Sequence, residues 1–302
     1  MKKIIVTGAS GFIGRQAVRQ LVAIGWEVHA FCYPSVPDEP EGAHWHVVNL
    51  LDPQEMRKAV AALGATHLLH LAWYVEHGKY WAALENFRWV AATLALAEDF
   101  RKAGGLHMVG AGTLAEYDWN FGYLRENETP MVPSTVYGQC KYNTFSLLSS
   151  YAAASGMRLA WGRVFYLYGP HEGPARLVSS IVINLLKGQF AQCTHGRQVR
   201  SFLHVADVAR AFVCLCEQEV SGAFNIGSGE TVALRQIAEF IGSELGAESL
   251  LRIGALSART DEPPVLLPDI RRLSGEALWR PEFDIKSGLR DTINWWKRNL
   301  PV

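Results

Sequence analysis

No Cys-x-x-Cys pair occurs in this chain, and its cysteines (Cys32, Cys140, Cys193, Cys214 and Cys216) are odd in number. That pattern argues against a disulfide framework and predicts reduced thiols, as in a cytoplasmic protein. The histidines are scattered without metal-site spacing, so no metal is expected. No apolar run approaches the roughly 20 residues of a membrane span. The opening "MKKIIV" could begin a signal peptide, but Thr7-Gly8-Ala9-Ser10-Gly11 cuts it at once, and none is expected. Net charge is lacking too. The 29 Lys and Arg balance the 29 Asp and Glu, which leaves no global attraction to nucleic acid or an anionic membrane. Internal repeats and low-complexity segments are likewise missing.

What is present is alternation. "KKIIVTG", "EVHAFCY", "WHVVNL", "HLLHLAW", "LHMVGAG" and "LAWGRVFYLYG" read as strands, separated by helical patterns such as "FIGRQAVRQLVAIG" and "PQEMRKAVAAL". The implied class is α/β, a Rossmann-type doubly wound parallel sheet with helices on both faces. A length of 302 residues exceeds the usual span of one simple core. Alternation becomes irregular after Gly169-Pro170, which suggests a dinucleotide-binding domain over 1–168 and a smaller α/β substrate-binding region over 169–302. The helix in "DVARAFVCLCEQ" is expected to return to the first domain. Two helices, in "YWAALENFRWVAATLALAEDF" and after Tyr137, are more apolar than one buried face requires, and predict a homodimer interface.

Two motifs carry chemistry. Gly8-x-x-Gly11-x-x-Gly14 lies between the first strand and the first helix. There, glycines allow a tight turn and close approach of backbone to a pyrophosphate, and the helix N-terminus supplies N–H donors. The second strand ends in Cys32-Tyr33 with no acidic residue to hold the ribose hydroxyls of NAD, and Arg15 is the nearest cation for a 2′-phosphate. NADP(H) is therefore favoured and NAD remains open. The second motif is Tyr137 and Lys141 in "VYGQCKYN", the chain's only Tyr-x-x-x-Lys. Residues i and i+4 share a helix face, so the ammonium is expected to lower the phenol's pKa and ready it for proton transfer beside a carbonyl or alcohol.

Together these residues resemble the extended short-chain dehydrogenase/reductase family, in particular its nucleotide-sugar epimerases, dehydratases and reductases. "VTGASGFIG", with Phe12 and Ile13 inside it, is similar to the family's cofactor loop, and "LLHLAW" to its fourth strand. The resemblance implies that Leu71, Ala72 and Trp73 line the cofactor. Asn49-Leu50 would lie beside adenine, and Asn86 and Val164 would contribute to the same site. "TPMVPSTVYGQCK" matches the segment leading to the catalytic Tyr and Lys, where Lys141 would also bind the nicotinamide ribose. "GTLAEYDW" places Thr113 as the third catalytic residue, orienting a substrate oxygen. Arg200 in "RSFLHVADVA", and Arg259, would contact a nucleotide diphosphate, making the partner a nucleotide sugar.

Departures from the family pattern narrow the reaction. Dehydratases of the family carry an acid two residues after the Ser/Thr, and combined epimerase-reductases carry a cysteine there; this chain has Ala115. Glu116, one residue further along a strand end, would point to the other side. Chemistry needing only a hydride and one proton remains: reduction of a 4-keto-6-deoxy sugar, or 4-epimerisation with retained NAD. Reduction of a non-nucleotide carbonyl compound and a non-catalytic dinucleotide sensor are further alternatives. Tyr166 replaces a family asparagine that touches the sugar nucleotide, so an altered pocket is expected. Trp73, Tyr74 and His77 are candidates for an aromatic floor under a sugar ring.

Overall fold

Ile4, Ile5 and Val6 are buried from both sides, as expected for an apolar strand covered on two faces. They form β1 (Lys3–Thr7). The computed structural model describes residues 2–37, 42–258 and 262–300. Within these, β1 is joined by β2 (Glu27–Cys32), β3 (Ala43–Val47), β4 (His67–His70), β5 (His107–Thr113), β6 (Arg158–Val164) and β7 (Gly222–Ile226). All pair in parallel in the order β7-β6-β5-β4-β1-β2-β3. The order reverses beside β1, so a crevice opens past the carboxyl ends of β1 and β4, where such sheets bind ligands.

Side chains alternate between two cores, following the two-residue period of a strand. Ile4 and Val6 face α1 (Gly14–Ala23) and α6 (Val205–Glu217), which supply Val18, Leu21, Val208 and Phe212. Ile5 faces the opposite layer, built from α2 (Pro53–Leu63), α3 (Glu85–Lys102) and α4 (Val136–Ser155). The ends of α2 follow from sequence. The Asp52 side chain accepts from the Gln54 and Glu55 N–H groups, and Gly64 closes the helix in the left-handed conformation.

The third core lies between α5 (Leu177–Leu186), α7 (Leu234–Leu245) and α8 (Ile285–Asn299). Beside it, a small sheet orders Val232–Ala233, Val199–Arg200, Val265–Pro268 and Tyr123–Leu124. The chain thus crosses between layers more than once: α6 and β7 complete the large sheet's layers, while Tyr123–Leu124 joins the small sheet.

Three boundaries differ from the sequence expectation. The third strand starts at Ala43 and ends at Val47, not Leu50. The helix expected from Tyr80 starts at Glu85, because the Asn86 amide donates to the carbonyls of Tyr80 and Ala83 and holds 80–84 as a turn. The strand through "LAWGRVFYLYG" breaks at Phe165, and Tyr166–Tyr168 pairs instead with Phe202–His204.

Candidate active site

The glycine loop leaves β1 and re-enters as α1. A Cβ on Gly14 would lie 2.0 Å from the Gly8 carbonyl oxygen, so only glycine fits there. No side chain caps α1 and no acidic residue sits in its first turn. The Arg15 and Gln16 N–H groups bond back to the Gly11 and Ile13 carbonyls, so what the loop presents to an anion is the positive end of the α1 dipole, and the cradle fits a dinucleotide pyrophosphate. Arg15 reaches back over this loop, donating to the Ser10 carbonyl at 3.0 Å and contacting the His171 imidazole at 2.8 Å. Leu71 and Ala72 donate their N–H groups to the Thr7 carbonyl and hydroxyl, which lays the end of β4 against the loop. At the end of β2, Cys32 is buried and Tyr33 is exposed. Asn49 is turned inward on its own bend, its side chain accepting from the Leu51 N–H, with Leu50 buried beside it.

Thr113, the last residue of β5, caps a single 3-10 turn over Leu114–Glu116. Tyr137 lies in the first turn of α4, whose N-cap is Thr135. These two turns touch: a Cβ on Gly138 would meet the Ala115 carbonyl oxygen at 2.2 Å. The Thr113 hydroxyl accepts from the Ala115 N–H at 3.2 Å and lies beside the Tyr137 phenol, whose acidity it favours. Thr113, Tyr137 and Lys141 are all buried.

The lowered phenol expected from the Tyr-Lys spacing is not what the tertiary structure produces. Burial drives the Tyr137 phenol well above its ordinary range, with Tyr80 adding to the effect and the neighbouring Thr113 hydroxyl offsetting part of it. Lys141 is itself desolvated, which lowers it to about 7 against a smaller opposing pull from Glu116. Its ammonium donates to the Ala111 carbonyl at 2.8 Å and lies 3.6 Å from the centre of the Trp73 ring. Burial of both members of the pair outweighs their proximity along the helix.

Glu116 also departs from expectation. It lies on the 3-10 turn rather than on a strand, and the turn swings it into the interior. Fully buried, it accepts from the Thr113 N–H at 2.9 Å, Trp161 Nε1 at 2.9 Å and Arg163 Nε at 2.7 Å. Its oxygens are committed to these donors, and Ala115 beside it is apolar.

A Rossmann crevice with this loop and this triad invites comparison with known proteins. The sequence profile described as the NAD dependent epimerase/dehydratase family matches residues 4–227. The chain belongs to that family. Among its relatives, CDP-abequose synthase of Salmonella typhimurium is 25% identical over 96% of this chain and 97% of its own length. A putative UDP-glucose 4-epimerase of Methanocaldococcus jannaschii is 25% identical over 98% of this chain and 99% of its own. Of solved structures, MoeE5 in complex with UDP-glucuronic acid and NAD is 26% identical, with a TM-score of 0.87 over 99% of this chain and all of its own. The UDP-glucose 4-epimerase of Thermotoga maritima, at 23% identity and a TM-score of 0.89 over 99% of this chain and all of its own, shares the fold.

In this epimerase/dehydratase family member the aromatic wall beside the triad differs from the one expected. Tyr80 and Trp81 stand edge-on to the Tyr137 ring at 4.9 and 5.8 Å, and the Trp81 carbonyl accepts the Tyr137 N–H. Trp119 backs Trp81 at 6.3 Å, and Arg176 lies over Tyr80. Sequence reasoning singled out this aromatic-rich segment but picked other members. Trp73 is buried against Lys141, the Tyr74 hydroxyl donates to Glu76, and His77 is exposed. Nothing local distinguishes Tyr80 from Tyr74; the turn imposed by Asn86 does.

Further out, Val164 ends β6 and Tyr166 lies under the Arg200 guanidinium at 5.3 Å. Arg200 is fully buried and donates to the carbonyls of Val199, Pro263 and Pro264 and to Glu262. A diphosphate would have to displace some of these partners. Arg259 lies outside the described residues.

Proposed function

We propose that the chain reduces a nucleotide-linked 4-keto-6-deoxy sugar with NAD(P)H, Tyr137 donating the proton. The observation that carries this reading is the setting of Tyr137: a buried phenol beside Thr113, pushed by burial toward its protonated form, with Ala115 in place of an acid and the Glu116 oxygens engaged elsewhere. Such a site suits delivery of one proton and lacks a base for elimination. Bound in the glycine cradle, the dinucleotide would supply the hydride. Thr113 orients the ketone oxygen, Tyr137 protonates it, and Lys141, still holding two free N–H donors, serves the pair and the ribose. NADP(H) is placed ahead of NAD(H) because no carboxylate ends β2; that MoeE5 was solved with NAD weighs the other way. Leu84, Phe87 and Leu147 are exposed on or beside α3 and α4, which supports a homodimer through these helices. Sedimentation at increasing concentration tests that assembly.

The 4-epimerase reading is supported by relatives that bear that name. The engaged Arg200 favours a substrate without a diphosphate. One experiment separates the three: the purified chain is assayed for bound dinucleotide, then offered NADPH or NADH with keto-sugar nucleotides and simple carbonyl compounds. Stoichiometric oxidation of NADPH by the nucleotide-linked ketone is expected. Retained NAD with no net redox change overturns reduction in favour of epimerisation, and turnover of simple carbonyls alone, unaffected by Arg200→Ala, overturns the nucleotide-linked substrate.

A further inference from the structure

Trp73 and Asn86 are placed where the family resemblance expects cofactor contacts, yet their polar groups face each other. The Trp73 indole N–H donates to Asn86 Oδ1 at 2.8 Å. Asn86, fully buried, spends both amide hydrogens on the carbonyls of Tyr80 and Ala83, each at 2.8 Å. Every polar side-chain atom of this pair is satisfied inside the protein, so the indole plane is fixed at both its edge and its anchor. Its face then meets the Lys141 ammonium at 3.6 Å from the ring centre, while the second indole nearby, Trp161, is 5.7 Å away. The lysine's charged end otherwise hydrogen-bonds the Ala111 carbonyl, at 2.8 Å.

We propose that Trp73 is a positioning residue for Lys141: its indole, clamped by Asn86, is the surface that holds the ammonium beside Tyr137. The inference rests on the reading of Tyr137 and Lys141 as the proton-donating pair. A cation in a dry site is strongly attracted to an aromatic face, and an apolar side chain of similar bulk offers no such attraction. The charged and titratable groups around Lys141 are Glu116 on the 3-10 turn, His70 on β4, and Tyr137 on its own helix. His70 is locked between Thr7 and Thr93 and held neutral, at about 3, so it does not compete for the role. Through Asn86 the same clamp fixes the 80–84 turn, so the aromatic wall and the lysine are set by one element.

The test compares Trp73→Phe, which keeps an aromatic face, with Trp73→Leu, which keeps only bulk. In the full-length chain, trace acetylation read by mass spectrometry gives the pH midpoint of Lys141 labelling against surface lysines. Steady-state assays give kcat and KM. Trp73→Phe is expected to keep the midpoint and retain about a third or more of kcat. Trp73→Leu should lower the midpoint, because the ammonium loses its attractive face while remaining enclosed, and should reduce kcat about tenfold with KM unchanged. Equal losses in both variants, or a Leu variant whose midpoint is unmoved or raised, overturn the proposal. If Trp73→Leu does not fold, Trp73→Met, a flexible filler without a ring, takes its place. Should the wild-type chain show no turnover at all, the proposed function falls, while the labelling comparison still decides the role of Trp73.

Discussion

Replacing Glu116 by Gln removes one negative charge and changes little else in shape. Its partner Arg163 is 2% exposed and Glu116 not at all, with 2.7 Å between them. Arg163 also donates to the Tyr117 hydroxyl, which in turn donates to Asn225. Breaking a buried pair by neutralising one member costs about 3–5 kcal/mol, mostly from the stranded charge. With an unfolding entropy of about 2.1 cal/mol/K per residue, a chain of 302 residues melting as one unit should lose about 5–8 °C in Tm. Calorimetry on Glu116→Gln, on Arg163→Met and on the double variant measures this. The double variant should recover at least half of the loss, because it removes the stranded cation. A drop below about 2 °C in Glu116→Gln would refute the assignment of this carboxylate to the interior. Loss of its charge should also lower Lys141 further, moving the alkaline limb of turnover to lower pH.

Tyr137→Phe should abolish turnover and leave dinucleotide affinity within about twofold, read by fluorescence titration; near-normal turnover would remove Tyr137 as proton donor. Glu172 is buried against Ser179 and raised to about 7. A carboxyl whose folded value stands above its unfolded one binds more protons when folded, so stability falls as pH rises from about 4.5 to about 7. Glu172→Gln should flatten that fall by up to about 3 kcal/mol, seen as a smaller Tm difference between the two pH values. Gly138→Ala forces a methyl group into the Ala115 carbonyl and should part α4 from the 3-10 turn. Its kcat is expected to fall at least tenfold, with the fold retained by circular dichroism.

Much of the fold could be read along the chain, because its signals are local. The apolar run of β1 ending in Gly8, the Asp52-Pro53 start of α2 and the Gly64 that ends it are statements about neighbouring residues. Where a distant partner intervened, the reading slipped: Asn86 delays α3 to Glu85, and Phe202–His204 captures Tyr166–Tyr168 away from β6.

The candidate site divides in the same way. Sequence alone determined the glycine turn between β1 and α1 and put Tyr137 and Lys141 on one helix face, since both depend on spacing of a few residues. Only the tertiary structure decided how those groups are charged, which rings face Tyr137, and that Glu116 and Arg200 are occupied by internal partners. Desolvation and partner choice sum contributions from segments tens to hundreds of residues apart. The pair's proximity was therefore legible from the chain, whereas the burial that raises one member and lowers the other was not.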